Sequence, residues 1–120
     1  MNQHEKLNYV ELPARDIAAT KNFFSSVFGW SFEDYGPGYT AFSDQGLNGG
    51  FFASEKVSQS ENGAALLIFF SEDLAATLSK VETAGGVIVQ PIFSFPGGHR
   101  FHFTEPSGNE FAVWSDSYKE

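Results

Sequence analysis

Cysteine is absent from this sequence. Disulfide bridges, thiolate nucleophiles and cysteine-built metal sites are therefore excluded, and only oxygen and imidazole metal ligands remain. Basic residues are scarce as well: seven Lys and Arg stand against fifteen Asp and Glu, a formal charge of −8. That balance opposes the counterion release behind most nucleic-acid binding and favours cationic or neutral ligands. No apolar run approaches the roughly 20 residues that span a bilayer, and the opening stretch Met1 to Leu7 is polar. The expectation is a cytoplasmic protein with neither nucleic-acid nor membrane partners. No Gly-x-Ser-x-Gly elbow and no phosphate-cradling loop is present.

What the chain does have is aromatic mass: fourteen Phe, four Tyr and two Trp within 120 residues that are 42% hydrophobic. One domain spanning residues 1–120 can bury a continuous core from such material.

The order of elements is written twice. Leu7 to Leu12 reads as a strand with two unlike faces, Tyr9 and Glu11 alternating with Val10 and Leu12, and Pro13 ends it. Asp16 then caps a helix carrying Ile17, Thr20, Phe24, Val27 and Phe28 at helical spacing, and Gly29 suits its left-handed stop. Asp73-Leu74-Ala75-Ala76-Thr77 repeats Asp16-Ile17-Ala18-Ala19-Thr20. This second helix is again preceded by a strand-like run, Ala64 to Phe70, and is again closed by glycine, at Gly85-Gly86.

Short β-prone runs separated by turns follow each helix: Trp30 to Tyr35, Gly38 to Phe42 and Gly49 to Ala53, then Val87 to Ile92, Arg100 to Thr104 and Glu110 to Trp114. Each half reads βαβββ, an α+β pattern. Module one covers about residues 6–54, a polar connector about 55–63, and module two about 64–116.

Tyr9-Val10-Glu11-Leu12-Pro13, Phe23-Phe24 and Val27-Phe28-Gly29-Trp30 at the start, with Gly97-Gly98, Phe101-His102-Phe103 and Glu105-Pro106-Ser107-Gly108-Asn109 at the end, resemble the vicinal oxygen chelate superfamily of glyoxalases, bleomycin-resistance proteins and dioxygenases. Glu105 replaces the usual Asp. The resemblance covers Lys6 to Ser115 and implies paired βαβββ modules forming a curled mixed sheet with outer helices and an inner cavity. It also implies a homodimer and a small-molecule ligand.

Metal-dependent members of that superfamily hold a divalent ion with His or Glu on the first strand of each module and Glu on the last. The matching positions here are Tyr9, Leu66 and Ala112, with a fourth between Gly49 and Phe51. Leu, Ala and Gly side chains offer a metal no lone pair. No metal site and no cofactor are expected, and a divalent ion would have to use displaced ligands.

Strand alternation carries Tyr9 and Glu11 to one face, Leu66, Ile68 and Phe70 to another, and Glu110, Ala112 and Trp114 to the last strand's ligand side. The expected ligand-facing set is therefore Tyr9, Glu11, Phe51, Leu66, Ile68, His102, Ala112 and Trp114. Glu11 and His102 are the candidate catalytic pair, and His99 is expected at the cavity mouth. The leading expectation is a metal-free small-molecule binder with an aromatic, partly acidic cavity. The alternative is a lyase, isomerase or dioxygenase built on Glu11 or non-standard ligands, and convergence of Glu11 and His102 on one point would distinguish it.

Overall fold

The computed structural model of the chain describes residues 2–120. Module one contains β1 (Tyr9–Ala14), α1 (Ile17–Phe28), β2 (Phe32–Asp34), β3 (Tyr39–Gln45) and β4 (Leu47–Ala53). Module two contains β5 (Leu67–Phe70), α2 (Leu74–Thr83), β6 (Val87–Phe95), β7 (Gly98–Thr104) and β8 (Glu110–Ser115). The curled sheet is divided into two four-stranded halves of identical order, β1-β4-β3-β2 and β5-β8-β7-β6. In each half the first strand runs parallel to the last, and the remaining pairs are antiparallel.

The repeated Asp residues do the same work twice. Asp16 accepts a hydrogen bond from the Ala19 backbone N–H at 3.0 Å, and Asp73 accepts one from Ala76 at 3.1 Å. Each satisfies a donor that the first turn of a helix leaves free. Gly29 closes α1 with φ 72°: its N–H donates to the Ser25 carbonyl and the following Trp30 N–H to that of Phe24. Thr83 is the last residue of α2, and the left-handed turn behind it falls at Gly85 with φ 98°.

Both helices press into one core. Phe24 is fully buried, stacking on Trp30 at 4.5 Å between centroids and on Phe51 of β4 at 5.6 Å, and meeting Phe111 of β8 edge-on at 5.2 Å. Phe28 stacks on Phe69 of β5 at 4.3 Å. Rings from α1 therefore join both sheets, each buried ring contributing about 1.5–3 kcal/mol by burial alone.

Several boundaries differ from those read in the sequence: β1 continues through Pro13 to Ala14, β2 is shorter, running only from Phe32 to Asp34, β3 extends to Gln45, β4 begins at Leu47 and β7 at Gly98, and two differences bear on the site. β5 begins at Leu67, because the parallel ladder with β8 starts at Leu67↔Phe111, and Leu66 precedes the strand. β6 runs on through Pro91 to Phe95 and carries two register shifts against β7. A proline is tolerated there because β6 is an edge strand. The connector is anchored too: Ser58 N–H donates to the Asn109 side chain at 2.9 Å, and Glu110 N–H donates to the Ser58 carbonyl at 2.8 Å.

Candidate functional site

The sheet faces turned away from the core carry the site chemistry. On module one, Tyr9 and Glu11 of β1 lie beside Asn48 and Gly50 of β4. Tyr39 of β3 sends its ring across Gly50, where any Cβ would overlap the phenol. Its hydroxyl donates to Glu11 Oε2 at 3.0 Å and shares a hydrogen bond with Tyr9 Oη at 2.6 Å. Burial, then the bonds to Tyr9 and Glu11, push the Tyr39 phenol well above its ordinary range. It therefore acts as a fixed donor at neutral pH. Tyr9, Glu33, Tyr35 and Asn48 help line an open depression of about 560 Å³ on this face.

On module two, β7 places His102 beside Ala112 and Arg100 beside Trp114. His102 Nδ1 lies 2.8 Å from Glu110 Oε2, and the two side chains are only 9% and 11% exposed. Glu110 Oε1 also accepts from Ser60 N–H at 2.8 Å and Ser60 Oγ at 2.7 Å. Burial raises the Glu110 pKa, but the bonds from His102 and Ser60 outweigh it and hold the carboxyl below its usual range. An ionised Glu110 accepts from Nδ1–H of His102, orients the ring and turns the other ring nitrogen, Nε2, away from the pair. That Nε2 is buried with no partner, as is Nε of Arg100. Arg100, Trp114, Ile68 and Phe95 line a second depression of about 340 Å³. Both volumes fall within the ordinary range of ligand pockets, about 300–1,000 Å³. A further, mostly apolar cleft of about 360 Å³ is lined by core residues such as Leu12, Trp30 and Phe69 together with Ile68 and Phe70 of β5.

The Glu105-Pro106-Ser107-Gly108-Asn109 turn is an internal clamp. Glu105, 2% exposed, accepts from Thr20 Oγ1 at 2.7 Å, Ser107 N–H at 3.0 Å and Asn109 Nδ2 at 2.8 Å. Asn109 Nδ2 also donates to the Pro13 carbonyl at 2.6 Å. The loop thus ties module two to the β1–α1 junction. Burial raises the Glu105 pKa, against the hydrogen bonds that favour its charge.

Tyr9, Glu11, Ile68, His102, Ala112 and Trp114 lie on the outward rows of their strands, and Leu66 and Phe51 do not. Phe51 is fully buried against Phe24 and Phe42, a correction that follows from β4 register: Gly50 pairs with Glu11, so Phe51 points the other way. Tyr9, Ile68 and Trp114 border the two depressions. Ala112 sits between Ile68 and His102, fully buried. Leu66 lies just ahead of β5 and is half-buried. Glu11 and His102 each take a partner on their own module, Tyr39 for Glu11 and Glu110 for His102, and no hydrogen bond joins the two. His99 is bonded to Glu120 at 3.1 Å. Among the described residues, no three His, Asp or Glu side chains gather as a metal-binding group.

Tyr39 and the role of Glu110 are new. The short turn at Pro106-Ser107-Gly108 sets Thr104 opposite Glu110, which places His102 on the diagonal from that carboxylate, so this pair had a readable signal. Tyr39 had only the two glycines, Gly49 and Gly50, in the neighbouring strand as a hint of close approach.

Two βαβββ modules with equivalent sheets and Asp-capped helices define the glyoxalase architecture. The chain belongs to the Glyoxalase/Bleomycin resistance protein/Dioxygenase superfamily, whose family model matches residues 6–113. It is 32% identical to the anthracycline biosynthesis protein DnrV of Streptomyces peucetius over 93% of this chain and 47% of that protein. It is 29% identical to a glyoxylase-like domain-containing protein of Didymella fabae, over 92% of this chain and 93% of the other. The chain spans about half the length of the first curated relatives it matches. A glyoxalase-related enzyme from Fulvimarina pelagi superposes with TM-score 0.77 at 16% identity, over 92% of this chain and 88% of its own. No helix among the described residues is long and apolar enough to cross a membrane.

Proposed function

We propose that this chain is a metal-free binding protein for a planar, aromatic small molecule. The observation that carries the reading is the apolar surface on the sheet faces turned from the core: Tyr9 is 47% exposed, Ile68 47% and Phe70 51%. Exposed rings beside fixed polar groups such as Tyr39 and Glu11 suit stacking with hydrogen-bonded orientation. The similarity to a protein named for anthracycline biosynthesis favours a planar ligand.

The side chains at the superfamily's metal positions do not fit a divalent ion. Leu66 and Ala112 have no donor atom, and Tyr9 Oη is engaged with Tyr39. A second copy of the chain covering these faces in a homodimer belongs to the same reading, since exposed apolar faces of this kind mark interaction surfaces.

The test is titration with planar aromatic probes, followed by loss of chelatable metal. Saturable binding that survives chelator supports the proposal, and Tyr9→Ala weakens it by about three- to tenfold, the loss of one stacking partner. Binding that needs a stoichiometric divalent ion would overturn it.

A second reading, proton transfer in a lyase or isomerase, is favoured by one feature. His102 is oriented by Glu110 and keeps a free, buried Nε2. Turnover abolished by His102→Gln, with binding retained, would select this reading.

A further inference from the structure

Arg100 is without an acid in a protein where acids outnumber bases fifteen to seven. Among the described residues it makes no ion pair, and its Nε is buried with no hydrogen-bond partner. An unmet buried donor costs about 1–3 kcal/mol, so an acceptor that reaches it is strongly favoured.

Two aromatic rings flank the guanidinium. Its central carbon lies 5.3 Å from the Phe93 ring centroid and 5.5 Å from that of Phe95. The register shifts of β6 bring both rings to this end of β7, with Phe93 paired to Arg100. On the other side Arg100 is paired with Trp114, and both line the second depression together with Ile68 and the Pro96-Gly97 turn. Cation–π contacts fix an arginine without consuming its N–H donors, leaving the fork free for a paired oxyanion. Two residues along the same face stands His102 with its unpartnered Nε2, a second polar point about 7 Å away by strand rise.

We propose that this depression is an anion site, and that it takes a planar aromatic acid: the carboxylate or phenolate pairs with Arg100 while the ring lies against Trp114 and Phe95. This deepens the binding-protein reading and rests on it. The net charge of −8 repels anions at long range, but such fields are screened beyond about 8 Å at physiological salt, whereas Arg100 acts in contact.

The experiment compares 2-naphthoate with its neutral counterpart 2-naphthylmethanol, by calorimetry and by the indole N–H resonances of Trp30 and Trp114. The naphthoate binds at least about tenfold more tightly, shifts the Trp114 resonance and loses affinity with added salt. Arg100→Met removes the preference, so that the naphthoate binds the variant no more tightly than the neutral probe does, and Arg100→Lys retains part of it. Equal binding of the two probes to the wild-type protein overturns the anion site and leaves the binding-protein reading standing. If neither probe binds, both fall. The wild-type comparison decides the matter even if a variant fails to fold.

Discussion

Tyr39 reaches Glu11 and Tyr9 only because residue 50 lacks a side chain. Gly50→Ala forces the phenol away, with an expected destabilisation of about 1–3 kcal/mol by overpacking and loss of the Tyr39–Glu11 bond. Urea denaturation measures the first, and the Tyr39 ring resonances report the second. Unchanged ring positions in a fully stable variant would contradict this account of the face.

The two buried carboxylates carry opposite pH signatures. Burial raises the Glu105 pKa, so the folded state holds that proton more tightly than the unfolded chain. Its contribution is fully present below the unfolded pKa and is lost as pH rises through the higher folded value. The Glu110 pKa is lowered despite burial, by His102 and Ser60. Its contribution is present above the unfolded pKa and is lost as pH falls through the lower folded value. Stability measured from about pH 3 to pH 7 is therefore expected to lose an acid-side rise in Glu110→Gln, and a decline with increasing pH in Glu105→Gln. Slopes that change in the same direction in both variants would contradict the assignment.

Among the elements, the Asp-capped helices were legible because a cap, an apolar stripe and a glycine stop are all local signals. Asp16→Ala and Asp73→Ala are each expected to cost about 0.5–2 kcal/mol, read from denaturant midpoints. Strand faces were harder. Phe51 shows why: a one-residue uncertainty in register moves a side chain to the opposite face, and nothing local fixed the pairing of β1 with β4. β6 was truncated at Ile92 because its register shifts break the alternation that marks a strand. The Glu105 loop was recognised as a motif, while its role as a clamp depended on contacts with Thr20 and Pro13, remote in sequence.

At the scale of the whole molecule, the two modules share one aromatic core and present two separate ligand-sized faces. The βαβββ repeat was visible from end to end, but the partners that Glu11 and His102 take, Tyr39 and Glu110, depended on the register of neighbouring strands. A homodimer that covers these faces predicts a sedimentation mass of twice the chain's 13.2 kDa. Phe70→Glu, a charge on the outward row of β5, is expected to shift that mass toward the monomer. A monomeric wild-type protein at high concentration would refute the dimer while leaving the binding faces intact.

The most direct test of the central claim is metal content by elemental analysis of untagged protein purified without chelator, followed by titration of the same sample with a planar aromatic probe. The account predicts far less than one divalent ion per chain and saturable binding that is unchanged by chelator. Near-stoichiometric metal, or binding that vanishes when it is removed, would contradict it.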